Sequence, residues 1–186
     1  LPLRLEEALR NALYDLILYP KNGDKTLEII HEDVAQINVL RDFLLQGILP
    51  WNYQESYGTT SQIMRLQLLN NRLDVIQMIQ QIGSSENVRK RIAWQFSDAI
   101  IKKIIAGLEP NNHQQIITFS EEFVKIQEKE TIVQTSTNDL KKNIWLWILN
   151  YLFTERGTIF NKVAFLRSTI AQMANHFNIS YDAMIE

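Results

Sequence analysis

The stretch Ile144-Trp145-Leu146-Trp147-Ile148-Leu149-Asn150-Tyr151-Leu152-Phe153 is the most apolar run of the chain, and its reading decides the fold. Ten residues long and interrupted by Asn150, it falls far short of the ~20 apolar residues that a membrane-spanning helix requires. Its apolar positions, extended back to Leu140, instead read as a buried helix. Thr137 or Asn138 opens that helix, because short polar side chains cap free N–H groups, and Gly157 ends it. Trp145 and Trp147 are two positions apart, hence about 200° around the helix. One of them belongs to the interior, and the other meets a neighbouring helix, a partner chain or water. A helix enclosed on all sides by others satisfies both.

The same period recurs on either side. Downstream, a helix over about 160–178 carries Val163, Leu166, Ile170, Met173, Ala174 and Phe177 as its expected buried stripe, with Phe160 and Asn161 as staple and cap, and Ser180 opens a final helix. Upstream, a helix from about Gln114 carries Ile116, Ile117, Phe123, Val124 and Ile126 and fades into the polar run 127–138. Before it, Ser84 or Ser85 caps a stripe of Val88, Ile92 and Phe96 that continues through Ile100, Ile101, Ile104 and Ile105 to Gly107. Ile63, Met64, Leu66 and Leu68-Leu69 follow a cap at Thr60 or Ser61, Asn70-Asn71 breaks the stripe, and Leu73, Ile76 and Ile79 resume it up to Gly83. Val34, Ile37, Leu40 and Leu44 form a helix that stops at Gly47 and Pro50. Leu5, Ala8, Leu9, Ala12, Leu13, Leu16 and Ile17 form another, ending before Pro20. Residues 26–31 alternate as a short strand would, or simply lead into the next helix.

The expected fold is therefore all-α, seven to eight helices in antiparallel hairpins, forming one irregular helical domain over 1–186 with a sub-boundary near 127–138. Six Gly and four Pro in 186 residues suit long regular elements better than the many turns of a β sandwich or barrel. A formal charge of −2 gives no electrostatic motive for binding nucleic acid or an anionic membrane surface. Zero cysteines exclude disulfides and thiolate chemistry and are consistent with a reducing cytosol. No secretory leader is visible at the start. The chain opens on Leu1 rather than methionine, and we expect an internal portion of a longer chain.

Site chemistry is sparse. His31, His113 and His176 are far apart and lack the spacing that holds zinc. The glycines are isolated, so no phosphate-cradling loop or nucleophile elbow arises. Glu121-Glu122 and Glu128-Lys129-Glu130 read as a solvated helix face with i, i+4 partners in Lys125 and Lys129. Arg89-Lys90-Arg91 with Trp94 and Phe96 has the elements of a nucleic-acid reader, but Glu86, Asp98 and Glu109 dilute its field, and the reading preferred is that Arg89 and Lys90 face water. No catalytic, cofactor-binding or metal-binding residue is assigned, and the chain is read as not an enzyme.

Three stretches together resemble the tape-measure protein family of contractile injection systems, the phage-tail-like particles of bacteria. The first runs from Asp42 and Phe43 through Gly47, Leu49 and Pro50 to Trp51, with Asn52 where the family pattern has a second tryptophan. The second runs from Arg89 through Arg91, Trp94, Gln95 and Phe96, then on to Glu109-Pro110. The third holds Trp145, Tyr151, Gly157, Phe160 and Asn161 and ends at Tyr181. The resemblance implies a structural role in particle assembly, associated with the length of the inner tube and with its lumen or ends. It implies partners among tube, baseplate or cap proteins, with self-association as a further option, and assembly in the bacterial cytoplasm with incorporation in the particle. It implies neither a cofactor, nor nucleic acid, nor membrane insertion by this segment. Under it Trp51 is expected as an anchor packed against neighbouring helices. The alternative reading is a general α-helical adaptor, and an enzyme with a helical pocket comes last.

Overall fold

A computed structural model describes residues 32–51, 53–130 and 132–185. The expected helix over 5–17 and the alternation at 26–31 lie outside them. Contacts divide the chain into two units, Leu1–Glu32 and Asp33–Glu186. The second is all-α among the described residues. Its helices are α1 (Glu32–Gln46, whose first residue belongs to the other unit), α2 (Thr60–Asn70), α3 (Arg72–Ile82), α4 (Glu86–Gln95) and α5 (Asp98–Leu108). They continue with α6 (His113–Glu130), α7 (Thr137–Asn150), α8 (Lys162–Phe177) and α9 (Tyr181–Ile185).

Helix α7 is the hub, packed against α4, α6 and α8. That enclosure settles the tryptophan question, since both Trp145 and Trp147 are buried. Trp145 donates its indole N–H to Asp98 Oδ1 at 2.8 Å, so the one polar atom of a buried ring is satisfied. Trp147 stacks edge-on with Phe177 of α8. Ile144, Ile148 and Leu149 complete the core on this helix, joined by Ile101, Ile104 and Ile105 of α5 and by Ile63 and Met64 of α2.

Several expectations shift. Residues 85–107 form two helices, not one, because Phe96 and Ser97 are extended (φ −108, ψ 154 and φ −72, ψ 156). The break turns Phe96 inward, where its ring meets Phe43 edge-on at 6.5 Å. Gly107 does not end α5, which runs on to Leu108. A Cβ there would collide with Ile76, so this glycine is a packing contact between α3 and α5. The cap of α2 is Thr59, one residue before the two expected, because Gln62 completes a reciprocal capping box with it. Ser136 likewise caps α7 one residue earlier than expected, accepting from Asp139 N.

On α8 the buried stripe is Phe165, Thr169 and Met173 with Ala174, whereas Val163 points outward. The sequence pattern missed Thr169 because it counts as polar. Its hydroxyl donates to Phe165 O at 2.8 Å, which removes the cost of burying it. Phe160 and Asn161 do act as staple and cap. Asn161 Oδ1 accepts from Ala164 N, and the Phe160 ring lies 5.5 Å from that of Phe165.

The end of α7 departs from regular geometry. Tyr151–Glu155 is a π-helical turn, marked by Arg156 N donating to Tyr151 O at 2.9 Å. Side chains reach into the backbone ladder here. Thr154 Oγ1 donates to Asn150 O and Gln172 Nε2 to Trp147 O, the kind of intrusion that widens a helical turn. Gly157 follows at φ +66, a left-handed position that ends the element as expected.

Candidate interaction surface

The first two family stretches, some 45 residues apart in sequence, meet in space. Arg91 of α4 reaches the C-terminus of α1 and donates from Nη1 to Leu44 O at 2.6 Å and Leu45 O at 2.8 Å. Those carbonyls lack intrahelical partners and carry the negative end of the helix dipole, which suits a cation. Gly47 closes the helix at φ +81, its N–H bonded to Phe43 O at 2.8 Å. A Cβ at Gly47 would lie 2.8 Å from Arg91 Nε. Glycine is thus needed twice, for its backbone angle and for the guanidinium.

Beyond this clamp the chain runs outward. Leu45, Ile48, Leu49 and Trp51 are all exposed, Trp51 by 97%. Trp51 is therefore no internal anchor: α1 has already ended at Gly47, and the chain beyond it runs away from the core instead of back onto it. The turn is nonetheless held, with Tyr53 N bonded to Pro50 O at 3.0 Å and Tyr53 Oη to Gly58 O. From Phe43 to Gln54 the sequence carries no charge. Gln95 and Trp94 of α4 are exposed as well.

Arg89 corrects another expectation. It does not face water but is 7% exposed, with Nη1 donating to Gly83 O at 2.9 Å and Ser84 O at 2.6 Å, and Nε to Asn150 Oδ1 at 2.6 Å. Burial pulls its pKa below the ordinary arginine value, opposed by the charge of Glu86. Lys90, by contrast, is exposed and pairs with Glu86 at 2.7 Å, which lowers the Glu86 pKa. Arg156 repeats the device at a third helix end, donating to Leu108 O and pairing with Glu109 at 2.7 Å. Arg89, Arg91 and Arg156 thus each bind the C-terminal end of another helix, α3, α1 and α5 in turn. The basic cluster that resembled a nucleic-acid reader is largely engaged with main-chain carbonyls.

The third family stretch lies at the other end of α7. Tyr151 Oη donates to Asn161 O at 3.0 Å, and its ring packs edge-on against Phe160 and Phe165. Sequence reasoning missed the polar core beneath it, in which Asn150 accepts from Arg89 and donates to Gln172 Oε1 at 2.9 Å. A signal was available. Asn150 is the lone amide in an apolar run, and an amide drawn partly out of water needs partners.

A cleft of about 320 Å³ between α5, α6 and α7 gathers Asp98, Lys102, Ser120, Glu121, Lys125, Glu128 and Lys141. Asp98 is engaged by Trp145, Ser120 donates to Ile117 O, and Lys102 pairs with Glu121 at 2.6 Å, lowering the Glu121 pKa. Among the described residues no group of histidine, cysteine and carboxylates stands where it would hold a metal ion, and no helix is long and apolar enough to cross a membrane.

The fold and this surface define a class first: an all-α protein whose polar side chains bind its helices to one another and whose apolar loop is turned outward. A family model described as contractile injection system tape measure protein matches residues 1–185, and the chain belongs to that family. No curated protein and no solved structure matches it.

Proposed function

We propose that this chain acts as a structural and assembly component of a bacterial contractile injection system, bearing on inner-tube length or tube assembly through contacts with tube, baseplate or cap proteins, and that the loop 45–51 is one of its contact points. The observation that carries the loop's role is the pairing of a fixed base with an exposed apolar tip: Arg91 and Gly47 hold the helix end, while Ile48, Leu49 and Trp51 stand in solvent. A tryptophan removes roughly 150–250 Å² from water on burial, several kcal/mol at about 25 cal/mol per Å². A rigid tryptophan is thus what binding hot spots are made of.

The reading assigns no chemistry and no cofactor to the chain. In support, Asp98, Ser120, Lys102 and Glu121 of the cleft between α5, α6 and α7 already have hydrogen-bond or ion-pair partners within the chain. Assembly in the bacterial cytoplasm follows from the proposed role.

Two measurements test this. Deleting the gene should alter the length or integrity of the particles' tubes in electron micrographs, and normal particles would sink the assembly role. Trp51→Ala should leave the thermal melt within about 0.5 kcal/mol of the parent, as for other exposed positions, yet reduce particle yield. Normal yield with this variant would remove the loop from the contact surface while leaving the deletion result to judge the larger proposal.

A further inference from the structure

Two further surfaces carry exposed apolar side chains with opposite charge beside them. On the first, Leu66 and Leu69 of α2 and Leu73 at the start of α3 stand outward on either side of the kink at Asn71, with Leu69 71% and Leu73 85% exposed. Arg65 and Arg72 flank them, and from Thr60 to Leu73 there is no carboxylate, Asp74 being the first. On the second, Glu122, Ile126 and Glu130 of α6 recur every four residues and so share one helix face. Ile126 is exposed there, and residues 121–130 hold four glutamates against two lysines, Lys125 and Lys129. Among the described residues neither Arg65 and Arg72 nor Glu122 and Glu130 have an ion-pair partner.

We infer that these two faces are complementary halves of one head-to-tail contact between copies of this chain, the Leu66–Leu69–Leu73 face of one copy docking the Glu122–Ile126–Glu130 row of α6 of the next. Charge complementarity selects this partner. The first face carries the cations Arg65 and Arg72, with Asp74 the one carboxylate next to it, and the row on α6 carries the carboxylates Glu122 and Glu130, Glu121 being already paired with Lys102. A symmetric pairing of either face with itself would oppose like charges, which costs several kcal/mol across an interface. A contact between two different faces is heterologous and propagates from copy to copy. The inference concerns surfaces separate from the 45–51 loop and does not depend on the particle role.

Sedimentation velocity on the chain tests it. The parent should associate in a concentration-dependent way, and raising ionic strength from roughly 0.05 to 0.5 M should weaken association about tenfold, because exposed charges are screened. R65E/R72E alone, or E122R/E130R alone, should weaken association at least about tenfold, the equivalent of 1.4 kcal/mol. Mixing the two variants should restore it, since each then meets its opposite charge. Unchanged circular dichroism would certify that both variants fold, and the salt titration on the parent stands if they do not. A parent that stays monomeric up to roughly 0.5 mM, where even a weak contact is populated, would overturn the inference. So would association indifferent to salt, a mixture that stays monomeric, or capture by some other protein while the chain itself remains a monomer.

Discussion

Arg89 shows how much one side chain decides here. A guanidinium 7% exposed is costly to desolvate, and that cost is offset by three acceptors, two of them carbonyls at the end of α3 and the third the amide of Asn150. Arg89→Met should therefore leave those groups unsatisfied in the interior and cost about 2–4 kcal/mol in a urea melt. Arg89→Lys should recover little, since an ammonium has no planar fork to span carbonyl and amide together. A loss under 1 kcal/mol for the methionine variant would mean that water replaces the arginine and that the network is not structural. In sequence Arg89 was indistinguishable from its neighbour Lys90, which is exposed. Helical period gives the direction of a side chain, but not that a neighbouring helix ends beneath it.

At the scale of the element, the helices of this protein are defined largely by their ends. Gly47 and Gly157 have similar backbone angles, φ +81 and +66, but only Gly47 has Arg91 in the space a Cβ would fill; nothing lies within 4 Å of that point at Gly157. Gly157→Ala should accordingly cost only the left-handed strain, about 1–2 kcal/mol. Gly47→Ala should cost more, because it also displaces Arg91 from the carbonyls of α1. Equal losses in parallel thermal melts would show that the arginine moves aside freely. Helix starts were largely legible in sequence, as cap residues act within one turn of themselves, and the errors at Thr59 and Ser136 were of one residue. The break at Phe96-Ser97 was read through because the apolar stripe continues across it, although Ser97 is a residue type that caps helices; the extended backbone brings the Phe96 ring against Phe43 of α1.

For the molecule as a whole, surface ion pairs shape the acid side of stability. The Glu86 and Glu121 carboxyls are held below their ordinary value of 4.5 by the ammonium groups of Lys90 and Lys102 that bond them. A carboxylate with a depressed folded pKa contributes stability above its unfolded pKa, and that contribution is lost as pH falls through the folded value. The double variant K90M/K102M should thus be slightly less stable than the parent at neutral pH, and the difference should close below pH 4.5. A gap that persists under acid would assign the lysines a packing role instead. Both pairs are largely in solvent, so the effect is small and salt-sensitive.

The sequence by itself determined the class of fold, the central place of the helix through Ile144 and Trp145, most helix starts and the staple at Phe160. These follow from periodicity and caps, which act over a few residues. It also carried the family resemblance, in stretches scattered from Phe43 to Tyr181. Tertiary structure alone decided which apolar residues stay outside. Trp51 and Leu73 are as apolar as Trp145 and Leu140, yet they lie in solvent because the chain leaves the core after Gly47 at one and the kink at Asn71 leaves the other on an outer face. It likewise decided that three arginines serve helix ends rather than water, since the carbonyls they bind are 5 to 48 residues away along the chain. Burial is a property of what other elements cover, and that information is not carried by any local stretch of residues.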